Sequence, residues 1–239
     1  MIARDDILGG IRRALKRGPL PGETATALAE RVAAHRRNLV PARAAALDYA
    51  GRVDLFVAMA EEVQTTVSRI ASEEDVPGEV ARYLAAENLP AELVMAPDPA
   101  LDAIPWEARP LLQIRRGRAG PGDAVSLTPC LAAVAETGTL MLVSGPDSPT
   151  TLNFLPDTQI VVLRAGQVVA AYEDGWDLLR GLPAMPRTVN FITGPSRTGD
   201  IEQRIQLGAH GPRRLHIVLI DPDAPGGETG GETPAPDHG

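Results

Sequence analysis

Ile160-Val161-Val162-Leu163 is apolar at every position. A strand with one wet face alternates apolar and polar residues, so an unbroken run marks a strand covered on both faces. The same pattern recurs at Leu140-Met141-Leu142-Val143 and at Ile217-Val218-Leu219-Ile220. Shorter strands are expected at Glu92–Met95, Leu111–Ile114, Ala124–Leu127 and Val189–Thr193. Helical periodicity separates them at Glu79–Glu87, Asp174–Arg180 and Asp200–Leu207, and Pro129–Thr137 reads as a short helix leading into Thr139–Ser144. Strands alternating with helices predict an α/β fold, a mostly parallel sheet covered by helices on both faces.

Upstream of that alternation the chain reads as helical. Asp5–Arg17 and Thr24–Arg37 have amphipathic spacing, and Leu55, Met59, Val63, Val67 and Ile70 form one stripe of a third helix over Val53–Ala71. The expected organisation is a helical part over 1–72, an α/β domain over 73–221 and a tail over 222–239. The tail is Pro, Gly, Thr and acid without a large apolar residue, so it is expected to stay disordered.

Composition narrows the function classes. Aromatics make up 3% of the 239 residues, so the core rests on Ala, Val, Leu and Ile, and base stacking is disfavoured. A net charge of −8 repels nucleic acid and acidic membrane surfaces. Arg12, Arg13, Lys16 and Arg17 nevertheless cluster, either as a solvated helix face or as a docking surface for an acidic partner. The apolar runs are too short to span a membrane, and Met1–Gly10 lacks a secretory pattern, so the cytoplasm is expected. Cys130 is the single cysteine, which excludes a disulfide, a four-thiolate cluster or a zinc site within one chain. The four histidines show no metal-ligand spacing, so no metal site is expected here.

Three segments carry candidate chemistry. In Ala135-Glu136-Thr137-Gly138-Thr139, Gly138 and Thr137 suit a helix C-cap, while Glu136 is the candidate nucleophile or base if buried. In Gly194-Pro195-Ser196-Arg197-Thr198-Gly199-Asp200-Ile201-Glu202, a turn between strand and helix offers Gly194, Ser196 and Thr198 amides with the Arg197 guanidinium to an anion. Asp200 and Glu202 fit a structural cap equally well. In Ser148–Asp157, Asn153 is either a ligand group or turn chemistry. No phosphate-binding or dinucleotide-binding glycine motif is present.

Those segments, with Leu207-Gly208-Ala209-His210-Gly211-Pro212, resemble in order and spacing the lactate-utilisation protein C family, whose members carry a LUD domain. The resemblance is clearest from Ala124 to Asp221. It implies the sheet of the sugar-phosphate isomerase and coenzyme A transferase superfamily. It also implies membership of a three-component system oxidising L-lactate to pyruvate, in which lactate-utilisation proteins A and B carry the iron–sulfur clusters and this chain none. One position departs from the family: Gln159 stands where a His is expected, and Gln exchanges no proton near neutral pH.

Two functions therefore stay open. The chain is a cluster-free subunit of an iron–sulfur lactate oxidation system. Alternatively it is a stand-alone enzyme on a small carboxylate, coenzyme A thioester or sugar phosphate, with Glu136 as nucleophile or base. In both, Thr137, Gly138 and Thr139 are expected to share one pocket with Gly194, Ser196, Arg197 and Thr198.

Overall fold

The structure, a computed structural model, describes residues 2–37, 40–198, 206–208 and 210–223. The expectation of a disordered tail falls on residues outside these, apart from Pro222 and Asp223. The chain divides into two compact units, Met1–Leu39 and Val40–Gly239. The first contains two helices, α1 (Ile2–Ala14) and α2 (Gly22–Ala34), close to the expected spans.

The second unit begins with α3 (Ala42–Ala45) and α4 (Tyr49–Glu62), the latter opened by Asp48, whose side chain accepts from the Gly51 N–H at 2.9 Å. The sequence reading carries this helix through Ala71, and here the structure corrects it. Gln64 turns to φ 69° and the chain continues as β1 (Thr66–Ile70). The apolar stripe misleads because Val67 and Ile70 also suit a strand: they face opposite sides, each packed against a different core cluster. The parallel sheet thus draws on residues before the expected boundary at 72.

Next come α5 (Val76–Ala86), β2 (Glu92–Met95), α6 (Pro99–Asp102), β3 (Gln113–Arg116) and β4 (Val125–Pro129). They are followed by β5 (Ala132–Val134), β6 (Thr139–Val143), α7 (Thr151–Phe154), β7 (Thr158–Arg164), β8 (Val168–Val169) and α8 (Tyr172–Arg180). β9 (Val189–Ile192), the two-residue pair β10 (Arg197–Thr198) and β11 (Gln206–Leu207), and β12 (Arg214–Ile220) complete the described elements.

Six strands form an all-parallel sheet in the order β1-β12-β7-β4-β2-β3. The unbroken apolar runs have the expected cause. Ile160, Val162, Val218 and Ile220 face a cluster with Val80, Leu84, Leu101 and Leu152 of α5, α6 and α7. Val161, Leu163, Ile217 and Leu219 face the other side, against Val53, Phe56 and Ala60 of α4. Burying each such side chain is worth about 1.5–3 kcal/mol, so the alternation of clusters fixes the register.

The cover on that second side is not helical alone. β8, β5, β6 and β9 make a separate sheet, antiparallel except for β5 with β8. Leu140 and Leu142 of β6 point to the parallel sheet, while Met141 packs with Ala132 and with Leu179 of α8. The run Leu140–Val143 is therefore covered on both faces, but in a second sheet. Pro129–Thr137 is likewise no helix: its alanines favour one, and pairing on both sides overrides that local preference. The helix expected over Asp200–Leu207 is also corrected at its end, where Gln206 and Leu207 pair antiparallel with Thr198 and Arg197. Its remaining residues lie outside those described.

Candidate functional site

A cavity of about 430 Å³ opens at the amino ends of β7 and β12. Ligands of open α/β sheets usually gather at the opposite, carboxyl edge. Gln159, second residue of β7, and Leu215, second of β12, reach it from the sheet. Phe154, Phe191, Pro195 and Pro212 add apolar wall, and Ser196, Arg197 and His210 add polar rim.

Asn153 lies on the single turn of α7, between Pro149 and Pro156, and is fully buried. Gln159 is also fully buried, and its Nε2 donates to Asn153 Oδ1 and to Thr128 Oγ1, both at 3.0 Å. The remaining Asn153 Nδ2 and Gln159 Oε1 have no hydrogen-bond partner. Asn153 is thus a lining residue. Gln159, which from sequence marked only a lost imidazole, stands beside it.

The loop from Gly194 to Arg197 is pinned to the end of α4. Gly194 has φ 75°, and a Cβ there would lie 2.6 Å from the Val63 carbonyl oxygen. Arg197 donates to that same oxygen, a favourable place for a cation because helix carbonyls end there unpaired. Gly194, Ser196 and Arg197 all line the cavity. The Ser196 N–H, expected to serve an anion, instead donates to the Pro212 oxygen at 2.8 Å. Thr198 sits in β10, paired with Gln206.

The Glu136–Thr139 turn meets this loop but not the cavity. Thr139 Oγ1 lies 2.7 Å from Thr193 Oγ1, so the two turns touch as the shared-pocket expectation requires. None of Glu136, Thr137, Gly138 or Thr139 lines the cavity, however. Gly138, at φ 64°, sinks onto α4, where a Cβ would come within 2.4 Å of the Ala60 nitrogen. The hydroxyls of Thr137 and Thr139 bond each other and Tyr172 at 2.7–3.1 Å. Glu136 is half-buried, and its backbone carbonyl accepts from Arg43. Tyr172 and Thr193 carried no signal in sequence, because their partners are 35 and 54 residues away.

Cys130 is buried, its thiol donating to the Ala132 oxygen at 2.8 Å, and burial pushes its pKa up to about 12. Among the described residues no group of three His, Cys, Asp or Glu side chains is placed to hold a metal ion, and no helix is long and apolar enough to cross a membrane.

Residues 123–220 match the LUD domain family. Every residue lining the cavity except Val63 falls in that stretch. The chain is 35% identical over 89 residues to the lactate utilization protein C of Anoxybacillus flavithermus, covering 37% of this chain and 40% of that one. It is 36% identical over 99 residues to the lactate utilization protein C of Deinococcus radiodurans, covering 41% and 46% respectively. The matches thus span less than half the length of these relatives. The crystal structure of a DUF162 family protein from Deinococcus radiodurans superposes with a TM-score of 0.59 at 24% identity, over 73% of this chain and 99% of that one, a likeness of fold. Residues 123–220 are thus similar to the LUD domain family, the one that the motifs of this stretch resemble.

Proposed function

We propose that this chain serves L-lactate utilisation as the cluster-free component of a cytoplasmic iron–sulfur system that oxidises L-lactate to pyruvate beside lactate-utilisation proteins A and B. The observation that carries this reading is the coincidence of the LUD match with the cavity: the stretch that matches the family supplies every lining residue but Val63, and relatives named lactate utilization protein C are 35% and 36% identical to this chain over 89 and 99 residues.

Oxidising lactate to pyruvate removes two electrons and two protons, and in this reading the iron–sulfur partners would take the electrons. What this chain contributes is a shaped site with Arg197 at its rim, able to hold a carboxylate by charge and hydrogen bonds. The stand-alone enzyme with Glu136 as base has weaker support, since Glu136 does not line the cavity.

Deleting the gene in its host tests the proposal. Growth on L-lactate should be lost while growth on pyruvate persists, with complementation restoring the first. Undiminished growth on lactate would overturn the reading.

A further inference from the structure

Two buried amides that line the cavity keep unpaired polar atoms. Asn153 and Gln159 are both fully buried, and each retains an unpaired polar atom after the hydrogen bonds that join them to each other and to Thr128. A buried polar group without a partner destabilises the fold, so two such atoms on residues that line one cavity call for something that completes them. As placed, Asn153 Nδ2 is the free donor and Gln159 Oε1 the free acceptor. Reversing both amides keeps every existing bond, because the Thr128 hydroxyl can donate as well as accept. The reversal leaves Gln159 Nε2 as donor and Asn153 Oδ1 as acceptor. In either arrangement one donor and one acceptor remain.

The smallest group that satisfies both at once is a hydroxyl, which accepts through a lone pair and donates through its hydrogen. A ketone oxygen satisfies the donor only and leaves the acceptor buried and unpaired. The rim carries Arg197 and the Ser196 hydroxyl, which suit a carboxylate, and the walls include Phe154, Phe191 and Leu215.

We infer that the Asn153–Gln159 amide pair is the recognition element of a binding site for a small 2-hydroxycarboxylate and discriminates it from the corresponding 2-oxocarboxylate. The inference rests on the lactate-utilisation reading for the choice of ligand class, and on the cavity for the mechanism of choice. Selection by an unpaired buried polar group is stronger than selection by size, because the wrong ligand leaves that group unsatisfied. The system would thereby hold its substrate and release its product.

Calorimetric titration of the purified full-length chain with L-lactate, pyruvate and propionate tests it. L-lactate should bind at least about tenfold more tightly than either of the others, the loss expected for one unpaired buried group. Gln159→Leu should abolish the preference for L-lactate over pyruvate. If that variant fails to fold by its thermal melt, Asn153→Ala serves the same comparison, and the selectivity of the unaltered chain is decisive without either. Equal binding of lactate and pyruvate, or no binding of lactate, would overturn the inference and leave the amide pair as the seat of a structural water. The deletion phenotype separates the two proposals. Growth lost without lactate binding sinks the amide-pair site alone, whereas lactate binding with normal growth sinks the utilisation role alone.

Discussion

The imidazole of His216, in β12 of the parallel sheet, lies against the phenol ring of Tyr83 from α5, with centroids 3.9 Å apart and planes inclined by 11°. His216 Nδ1 lies 2.8 Å from Thr66 Oγ1 of β1, and Nε2 lies 3.7 Å from a carboxylate oxygen of Glu79. One ring therefore ties three elements on one face of the sheet.

Glu79 gives that contact a pH dependence. Burial acts to raise its pKa and is outweighed by His216, Arg82 and Ser68, which hold it at about 2 against an ordinary 4.5. At 3.7 Å the His216 contact is too long for a hydrogen bond, whereas Arg82 bonds the carboxylate at 2.5 Å and 2.7 Å. Because the folded-state pKa is depressed, the stabilisation is complete above about pH 4.5 and disappears as pH falls toward 2. Glu79→Gln should cost about 2 kcal/mol at pH 7 in urea unfolding. The gap between variant and parent should close on acidification, and a gap independent of pH would contradict the assignment.

Gly138 is a position where no side chain fits. Gly138→Ala combines an unfavourable φ of 64° with a Cβ 2.4 Å from backbone in α4, and should destabilise by about 2–4 kcal/mol. Denaturant midpoints measure this directly. A loss below about 0.5 kcal/mol would mean that the turn can lift off the helix.

Cys130 should behave as a hydrocarbon. With its pKa raised to about 12 by burial, it should not react with a thiol reagent at pH 8 until the protein is unfolded. The purified chain should be colourless, without stoichiometric iron. An iron–sulfur absorbance band, or rapid labelling of the native protein, would contradict this.

Arg197 and Glu136 separate the two functional readings. Arg197→Ala should lower lactate oxidation by cell extracts at least about tenfold, for loss of one charge-assisted contact, and cost only about 1 kcal/mol through the bond to Val63. Glu136→Gln should leave the rate within about twofold, the expectation for a carboxylate outside the cavity. A rate collapse in Glu136→Gln with the fold intact would favour the enzyme that uses it as nucleophile or base.

The basic cluster of the first unit bears on partners. Reversing the charge of Arg12, Arg13 and Lys16 should weaken capture of the iron–sulfur proteins most at low salt, where exposed charges are least screened. Capture unaffected at low salt would assign that cluster to solvent.

Strands covered on both faces were legible because burial leaves an unbroken apolar run, as at Ile160–Leu163 and Ile217–Ile220. β1 was not, because Val63, Val67 and Ile70 keep helical spacing while serving a helix end and then a strand. β5 was hidden by alanines whose local preference loses to pairing with β6 and β8. At the site, the motifs around Gly138 and Gly194 were visible as turns, but their meaning depended on α4, which meets both. The amide pair was the least legible part. Asn153 resembled ordinary turn chemistry, and nothing local announces that Gln159 turns its side chain toward it.

The strand order also has a consequence for how the chain is made. β12 is the last described strand, yet it lies between β7 and β1, and Thr66 meets His216 across 150 residues. A nascent chain leaving the ribosome therefore holds β1 without a neighbour, and β7 with one edge bare, until Arg214–Ile220 has been made. Both edges stay open to mispairing for that interval, and long-range parallel pairing is slow to form. A product stopped before Arg214 would lose two strands from the sheet, the missing one and the one it anchors.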